Sequence, residues 1–133
     1  MRIVKSSALL RRILATDAVF SGLSGVGLTL GAAPFSTLFG LPYELVLGAG
    51  LFLVPYALFV AWLGARATAP SALVWLVVVG NAVWTLESIV LVVSGQASPT
   101  TLGAAVVIAQ AIAVAIIADV QALGLKRSDP LAA

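Results

Sequence analysis

The sequence predicts an all-α membrane protein, an antiparallel bundle of four transmembrane helices whose termini both lie in the cytoplasm. Of its 133 residues, 62% are hydrophobic and only 9% are charged, whereas soluble domains average about 25% charged residues. The mean hydropathy is +1.17. A chain of this length is expected to form one domain, so residues 1–133 are interpreted as a single membrane domain.

Four apolar runs have the length that a bilayer requires. A hydrocarbon core about 30 Å thick needs roughly 20 helical residues, and segments rich in Gly, Pro and Ser separate the runs. The predicted spans are residues 13–33, 43–65, 72–94 and 101–123. Their short connections favour antiparallel neighbours.

The positions of the basic residues predict the orientation, because Lys and Arg resist translocation and stay in the cytoplasm. All seven lie before the first span, between the second and third, or after the fourth: Arg2, Lys5, Arg11, Arg12, Arg66, Lys126 and Arg127. The connections over residues 34–42 and 95–100 contain none. We therefore expect a multi-pass protein of the cell inner membrane, with a short interfacial helix over residues 1–12 and a frayed tail after Arg127.

Small residues predict which helices pack closely, because they let two backbones approach each other in lipid. The first span has Ser21 and Gly25 one turn apart, and the fourth has a stripe of alanines that includes Ala111 and Ala118. This pattern indicates contact between the first and fourth spans. A homodimer interface is the alternative interpretation.

Several classes of function are excluded by residues that the chain lacks. It contains no Cys and no His, which excludes disulfides, thiol redox chemistry and His-ligated metal or haem. No phosphate-binding loop and no nucleophile with a partner base is evident. We therefore predict no catalytic residue, no metal site and no cofactor. A net charge of +2 gives no reason to expect nucleic acid, and the expected partners are membrane lipids.

Carboxylates inside the spans are candidates for function, because burying them in a bilayer is costly. Asp17 and Asp119 fall in the cytoplasmic halves of the first and fourth spans, at the end where Arg11 and Arg12 lie. We predict that these four residues form an inner-leaflet ion-pair cluster.

Glu87 differs from the two aspartates, because it falls in the outer half of the third span, where the sequence has no Lys or Arg. Without an ion pair, a carboxylate in apolar surroundings is expected to hold or exchange a proton. We predict that Glu87 lines a polar and aromatic ligand-binding cavity that opens outward, together with Asn81, Trp84, Gln110 and Tyr56. The alternative is a hydrogen-bonded network that only fixes how the helices pack.

Two short segments carry a resemblance to a known family. The segment LLRRIL at residues 9–14 opens a glycine-rich first span, and NAVW occupies residues 81–84 of the third. Together with four closely connected spans, they resemble the DoxX-like small bacterial membrane proteins. The resemblance implies a four-helix membrane bundle, in some cases an accessory partner of quinol-oxidising or sulfur-redox systems, and it implies no catalytic residue.

Two functions are therefore open. The first is a non-enzymatic protein that acts as an accessory subunit of a membrane complex, or as a homodimer, or that binds a hydrophobic small molecule such as a lipid or quinone. The alternative is a proton-coupled small-molecule transporter in which Glu87 is the carrier.

Overall fold

The structure is a computed structural model that describes residues 2–131. Five α-helices form in this range: α1 (Ala8–Leu30), α2 (Ala32–Phe39), α3 (Tyr43–Ala65), α4 (Ser71–Val93) and α5 (Thr101–Lys126). All except α2 are long and apolar enough to cross a membrane, and large side chains such as Leu23, Leu30 and Leu58 are exposed on their surfaces. The predicted set of four apolar helices is confirmed.

Hydroxyl side chains define where two of these helices begin. Ser7 Oγ accepts a hydrogen bond from the backbone N–H of Leu10 at the start of α1, and Thr100 Oγ1 accepts one from Gly103 at the start of α5. Such caps satisfy N–H groups that have no partner within the helix. Thr100 also donates its hydroxyl hydrogen to the carbonyl oxygen of Leu38 over 2.8 Å, which fixes the start of α5 against the end of α2.

The segment predicted as a loop over residues 34–42 is largely helical. The first long helix ends at Leu30, and α2 follows after Gly31. Pro34 does not prevent α2, because it lies in the first turn, where no helical partner is required for its missing N–H. Gly40 ends α2 with φ +65°, a left-handed conformation that suits glycine.

The long helices form two close pairs. Most of the contacts of α1 are with α3, those of α4 are with α5, and α1 joins the pairs through α5. The predicted neighbourhood of α1 and α5 is present, but the glycine stripe of α1 does not form it. A Cβ atom placed on Gly25 would lie 3.0 Å from Leu53 Cβ on α3. Instead, α1 and α5 meet where Leu10 packs against Gly124.

A small antiparallel sheet at one end of the bundle corrects two expectations. Instead of an interfacial helix, the N-terminal segment forms strand β1 (Ile3–Lys5), which lies between β2 (Thr68–Pro70) and β3 (Asp129–Pro130). Asp129 and Pro130, in the tail expected to fray, are paired with β1 in that sheet, while residues 132 and 133 of that tail lie outside the described residues. The sheet forms because Val4 is buried at its centre, against Ala69 of β2. It brings β1, β3 and the α3–α4 connection to the same end of the bundle, where all the Lys and Arg residues lie.

Candidate ligand-binding site

Asp17 lies where the four long helices meet, and it is only 2% exposed. Ser21, one turn along α1, donates its hydroxyl hydrogen to Asp17 Oδ1 over 2.9 Å. The other carboxylate oxygen, Oδ2, accepts from Asn81 Nδ2 on α4 over 2.9 Å and from Gln121 Nε2 on α5 over 2.8 Å. The hydroxyl of Tyr56 on α3 lies 2.9 Å from the same oxygen. These neutral groups replace the water that a buried carboxylate has lost. We call these five residues the Asp17 network.

The members of the Asp17 network also bond to one another. Asn81 Nδ2 donates to Gln121 Oε1 over 2.9 Å, and the Tyr56 hydroxyl lies 2.9 Å from Asn81 Oδ1. A hydroxyl carries one hydrogen. Tyr56 can therefore donate either to Asp17 or to Asn81, but not to both at once.

The Asp17 network corrects the predicted ion-pair cluster of Arg11, Arg12, Asp17 and Asp119. Arg11 donates to backbone carbonyl oxygens at the end of α3, and both Arg12 and Asp119 are exposed. Within residues 2–131, the structure gives neither aspartate an ion-pair partner. The physical reason is that amides and hydroxyls can satisfy a buried carboxylate without the large cost of burying a guanidinium as well.

A cavity of about 840 Å³ extends from the end of the bundle remote from the sheet down to the Asp17 network. Its floor includes Ser21, Tyr56 and Asn81, and Glu44 lies at its other end. The walls are mainly apolar, with several aromatic rings: Phe20, Phe35, Phe39, Phe52 and Trp84. Small-molecule sites in proteins typically measure about 300–1,000 Å³ and combine apolar walls with a few polar groups. The cavity has both properties.

The structure places all the residues of the predicted ligand site on the cavity lining: Glu87, Asn81, Trp84, Gln110 and Tyr56. It divides them into separate groups. Tyr56 and Asn81 belong to the Asp17 network, whereas Trp84 Nε1 donates to Gln110 Oε1 over 2.9 Å. Gln110 Nε2 in turn donates to Ser88 Oγ over 2.9 Å. Glu87 is exposed on the wall, and no side chain within the described range donates a hydrogen bond to it.

Three stacked rings connect α3 with α4 across the cavity. Phe52 stacks on Tyr56 with 6.0 Å between ring centroids and on Trp84 with 6.2 Å. The interplanar angles are 18° and 13°, which is offset stacking of the kind that aromatic pairs favour. The hydroxyl of Tyr56 and the indole N–H of Trp84 thus enter two different hydrogen-bonded groups along one aromatic stack.

No protein-family model, characterised protein or solved structure matches this chain. What the cavity can bind is therefore inferred from the residues that line it. In the part of the chain that the structure describes, no group of three or more Asp or Glu side chains is placed to hold a metal ion.

Two members of the Asp17 network, Ser21 and Gln121, are absent from the predicted ligand site, and Asp17 itself was assigned to the ion-pair cluster. The depth of each residue in the membrane is the signal that could have indicated that the members of the Asp17 network lie close together. Asp17, Tyr56 and Asn81 lie at similar distances from the sheet end of their helices. Gln121 lies closer to the basic end of α5, so depth alone places it less well.

Proposed function

We propose that this protein binds a hydrophobic small molecule with a polar head group, such as a lipid or a quinone, and has no enzymatic activity of its own. The observation that carries the proposal is the cavity of about 840 Å³, which has apolar and aromatic walls and ends on a hydrogen-bonded polar floor. The apolar part of the ligand would contact the aromatic walls. Its head group would reach Tyr56 and Asn81.

The charges around the cavity favour a ligand without a negative head group. Asp17 lies beneath the floor, and Glu44 and Glu87 line the walls. All the Lys and Arg residues belong to the opposite end of the bundle, so none can neutralise an anionic head group inside the cavity. We accordingly favour a neutral molecule of the quinone or neutral-lipid type over a fatty acid or an anionic phospholipid.

We further propose that the protein is embedded in the cell inner membrane with its basic end, including both termini, in the cytoplasm. The grouping of all the basic residues at the sheet end supports this orientation. A role as accessory subunit of a membrane complex, or as a homodimer, is compatible with the same site. The proposed DoxX-like resemblance would also fit a quinone ligand.

The proposal can be tested with the intact protein released gently from its own membrane. Native mass spectrometry should detect a bound small molecule at one per chain. The purified protein should also bind decylubiquinone in detergent micelles. Gly80 lines the cavity, and the variant Gly80→Leu, which fills part of it, should weaken that binding about tenfold or more, as overpacking costs about 1–3 kcal/mol. A Cβ atom on Gly80 meets no other atom within 4 Å, so the variant should fold.

Ala82→Leu is the matched control, because Ala82 is exposed on the same helix and is not part of the cavity lining. It should retain the wild-type affinity. If the protein carries no small molecule and binds no hydrophobic probe, or if both variants bind equally well, the cavity is not the ligand site.

The alternative function, a proton-coupled transporter with Glu87 as carrier, is supported by one observation. Glu87 is an exposed carboxylate on the cavity wall, on the side of the bundle that lacks basic residues. Proton-driven uptake into liposomes that is abolished by Glu87→Gln would favour the transporter over the binding protein. Full transport by that variant would exclude Glu87 as carrier.

A further inference from the structure

We propose that Asp17, and not Glu87, is the proton-exchanging group of the cavity, and that the cavity binds a carbonyl-bearing head group together with one proton. The inference rests on the proposed ligand-binding function and specifies the chemistry of the head group. The assignment depends on how many hydrogen atoms the side chains at the cavity floor can donate, and to which acceptors.

When Asp17 is ionised, the three network residues that line the cavity floor, Ser21, Tyr56 and Asn81, have all their side-chain donors committed. Ser21 gives its hydroxyl hydrogen to Asp17 Oδ1, and the two hydrogens of Asn81 Nδ2 go to Asp17 and Gln121. The single hydrogen of Tyr56 goes to Asp17 Oδ2, because a hydrogen bond to a charged acceptor is stronger than one to the neutral amide of Asn81. A ligand carbonyl, which can only accept, then finds no uncommitted donor within the Asp17 network.

A proton on Asp17 Oδ2 frees one of these donors, and no heavy atom has to move. The buffer acid in the surrounding solution releases the proton, which forms an O–H bond at Oδ2 and is donated to the Tyr56 oxygen, 2.9 Å away. The hydrogen of Tyr56 is then released from Asp17. It can turn to Asn81 Oδ1, also 2.9 Å away, or to the carbonyl oxygen of a ligand in the cavity, since Tyr56 lines the floor. No oxidation or reduction is involved.

Few groups near Asp17 other than its own carboxylate could take up a proton when a ligand binds. The side chains that bond to it from α4 and α5 are the neutral amides of Asn81 and Gln121, and from its own helix the neutral hydroxyl of Ser21. Tyr56 is the titratable group that faces it from α3. Glu44 and Glu87 line other parts of the cavity. Binding of a carbonyl and protonation of Asp17 should therefore promote each other equally.

Calorimetric titration of the full-length protein with decylubiquinone in detergent micelles tests the proposal. Titrations in two buffers with different heats of ionisation count the protons taken up on binding. We expect uptake approaching one proton per ligand, and an affinity that rises about tenfold for each unit of decreasing pH while Asp17 is ionised in the free protein. Asp17→Asn should bind with no proton uptake and with an affinity independent of pH.

Asp119→Asn is the matched control, because Asp119 is an exposed carboxylate outside the cavity lining, and this variant should retain the uptake. If Asp17→Asn does not fold, Tyr56→Phe provides the test: it keeps the ring that stacks on Phe52 but removes the relaying hydrogen, and it should abolish the uptake. Unchanged uptake in Tyr56→Phe would overturn the proposal.

Binding to the wild type without proton uptake would overturn this inference alone, and so would uptake that is lost in Glu87→Gln but kept in Asp17→Asn. An absence of decylubiquinone binding at every pH would overturn the proposed quinone ligand and this inference together.

Discussion

At the scale of single residues, the four long helices converge on one carboxylate. Asp17 is bonded by a side chain from each of them. Gln121 is fully buried and acts in two ways, because its Nε2 donates to Asp17 and its Oε1 accepts from Asn81. Removing this side chain would leave the carboxylate one donor short and an amide hydrogen of Asn81 without its acceptor.

Gln121→Ala should therefore lower the free energy of unfolding by about 1–3 kcal/mol, the usual cost of an unsatisfied buried polar group. Unfolding in mixed micelles of increasing SDS content measures the change. Gln96→Ala is the control, because Gln96 is exposed between α4 and α5 and should leave stability unchanged. Equal stability of the two variants would mean that the Asp17 network contributes little to holding the helices together.

At the scale of elements, the pairing of α1 with α3 depends on where glycines allow close approach. A Cβ atom on Gly50 would lie 2.6 Å from both the backbone nitrogen and the Oγ1 of Thr29, which no real side chain could accept without displacement. A Cβ atom on Gly48, two residues earlier on the same helix, would meet no atom within 4 Å. The two glycines therefore form a natural pair for comparison.

Gly50→Ala should destabilise the protein by about 1–3 kcal/mol, because α1 and α3 must separate to admit the methyl group. Gly48→Ala should be neutral or stabilising by up to about 1 kcal/mol, since alanine favours a helix more than glycine does. Thermal unfolding in detergent distinguishes the two. A loss of stability confined to Gly48→Ala would contradict the observed helix pairing.

Helices α3 and α1 show which features of the fold could be predicted from the sequence and which could not. The predicted second span, residues 43–65, has the bounds of α3 as observed, because Pro42 and the segment after Ala65 limit the apolar run on both sides. The small residues of α1 correctly marked a packing face, but not its partner. Helices that are apolar nearly all round show no periodicity from which a facing neighbour could be deduced.

At the scale of the whole molecule, the two ends of the bundle differ in structure and charge. One end carries the sheet and all the Lys and Arg residues, while the cavity extends toward the other. The sheet was not predictable, because β1 has only three residues and its partners come from a connection and a tail. The sequence predicted five residues of the cavity lining as polar and aromatic side chains in apolar spans, but not Ser21 or the phenylalanines of the walls. Their division into groups depends on helix rotation, which the sequence does not specify.

The charge difference between the two ends predicts the orientation in the membrane, which cysteine labelling can measure. The chain contains no Cys, so a single introduced cysteine is labelled without background. Gln96 is exposed in the α4–α5 connection, and Ala67 is exposed in the α3–α4 connection beside the sheet. Because basic ends stay in the cytoplasm, a membrane-impermeant maleimide should label Gln96→Cys in intact spheroplasts.

Ala67→Cys should react only after the membrane is permeabilised, and labelling in detergent confirms that both thiols are accessible. Two results would contradict the proposed orientation. The reverse pattern would place the basic end outside and open the cavity toward the cytoplasm, and labelling of both variants in intact spheroplasts would indicate that the chain inserts in two orientations. In the proposed orientation, the proton that we assign to Asp17 reaches the cavity from outside the cell. With either of these two results, it could also come from the cytoplasm.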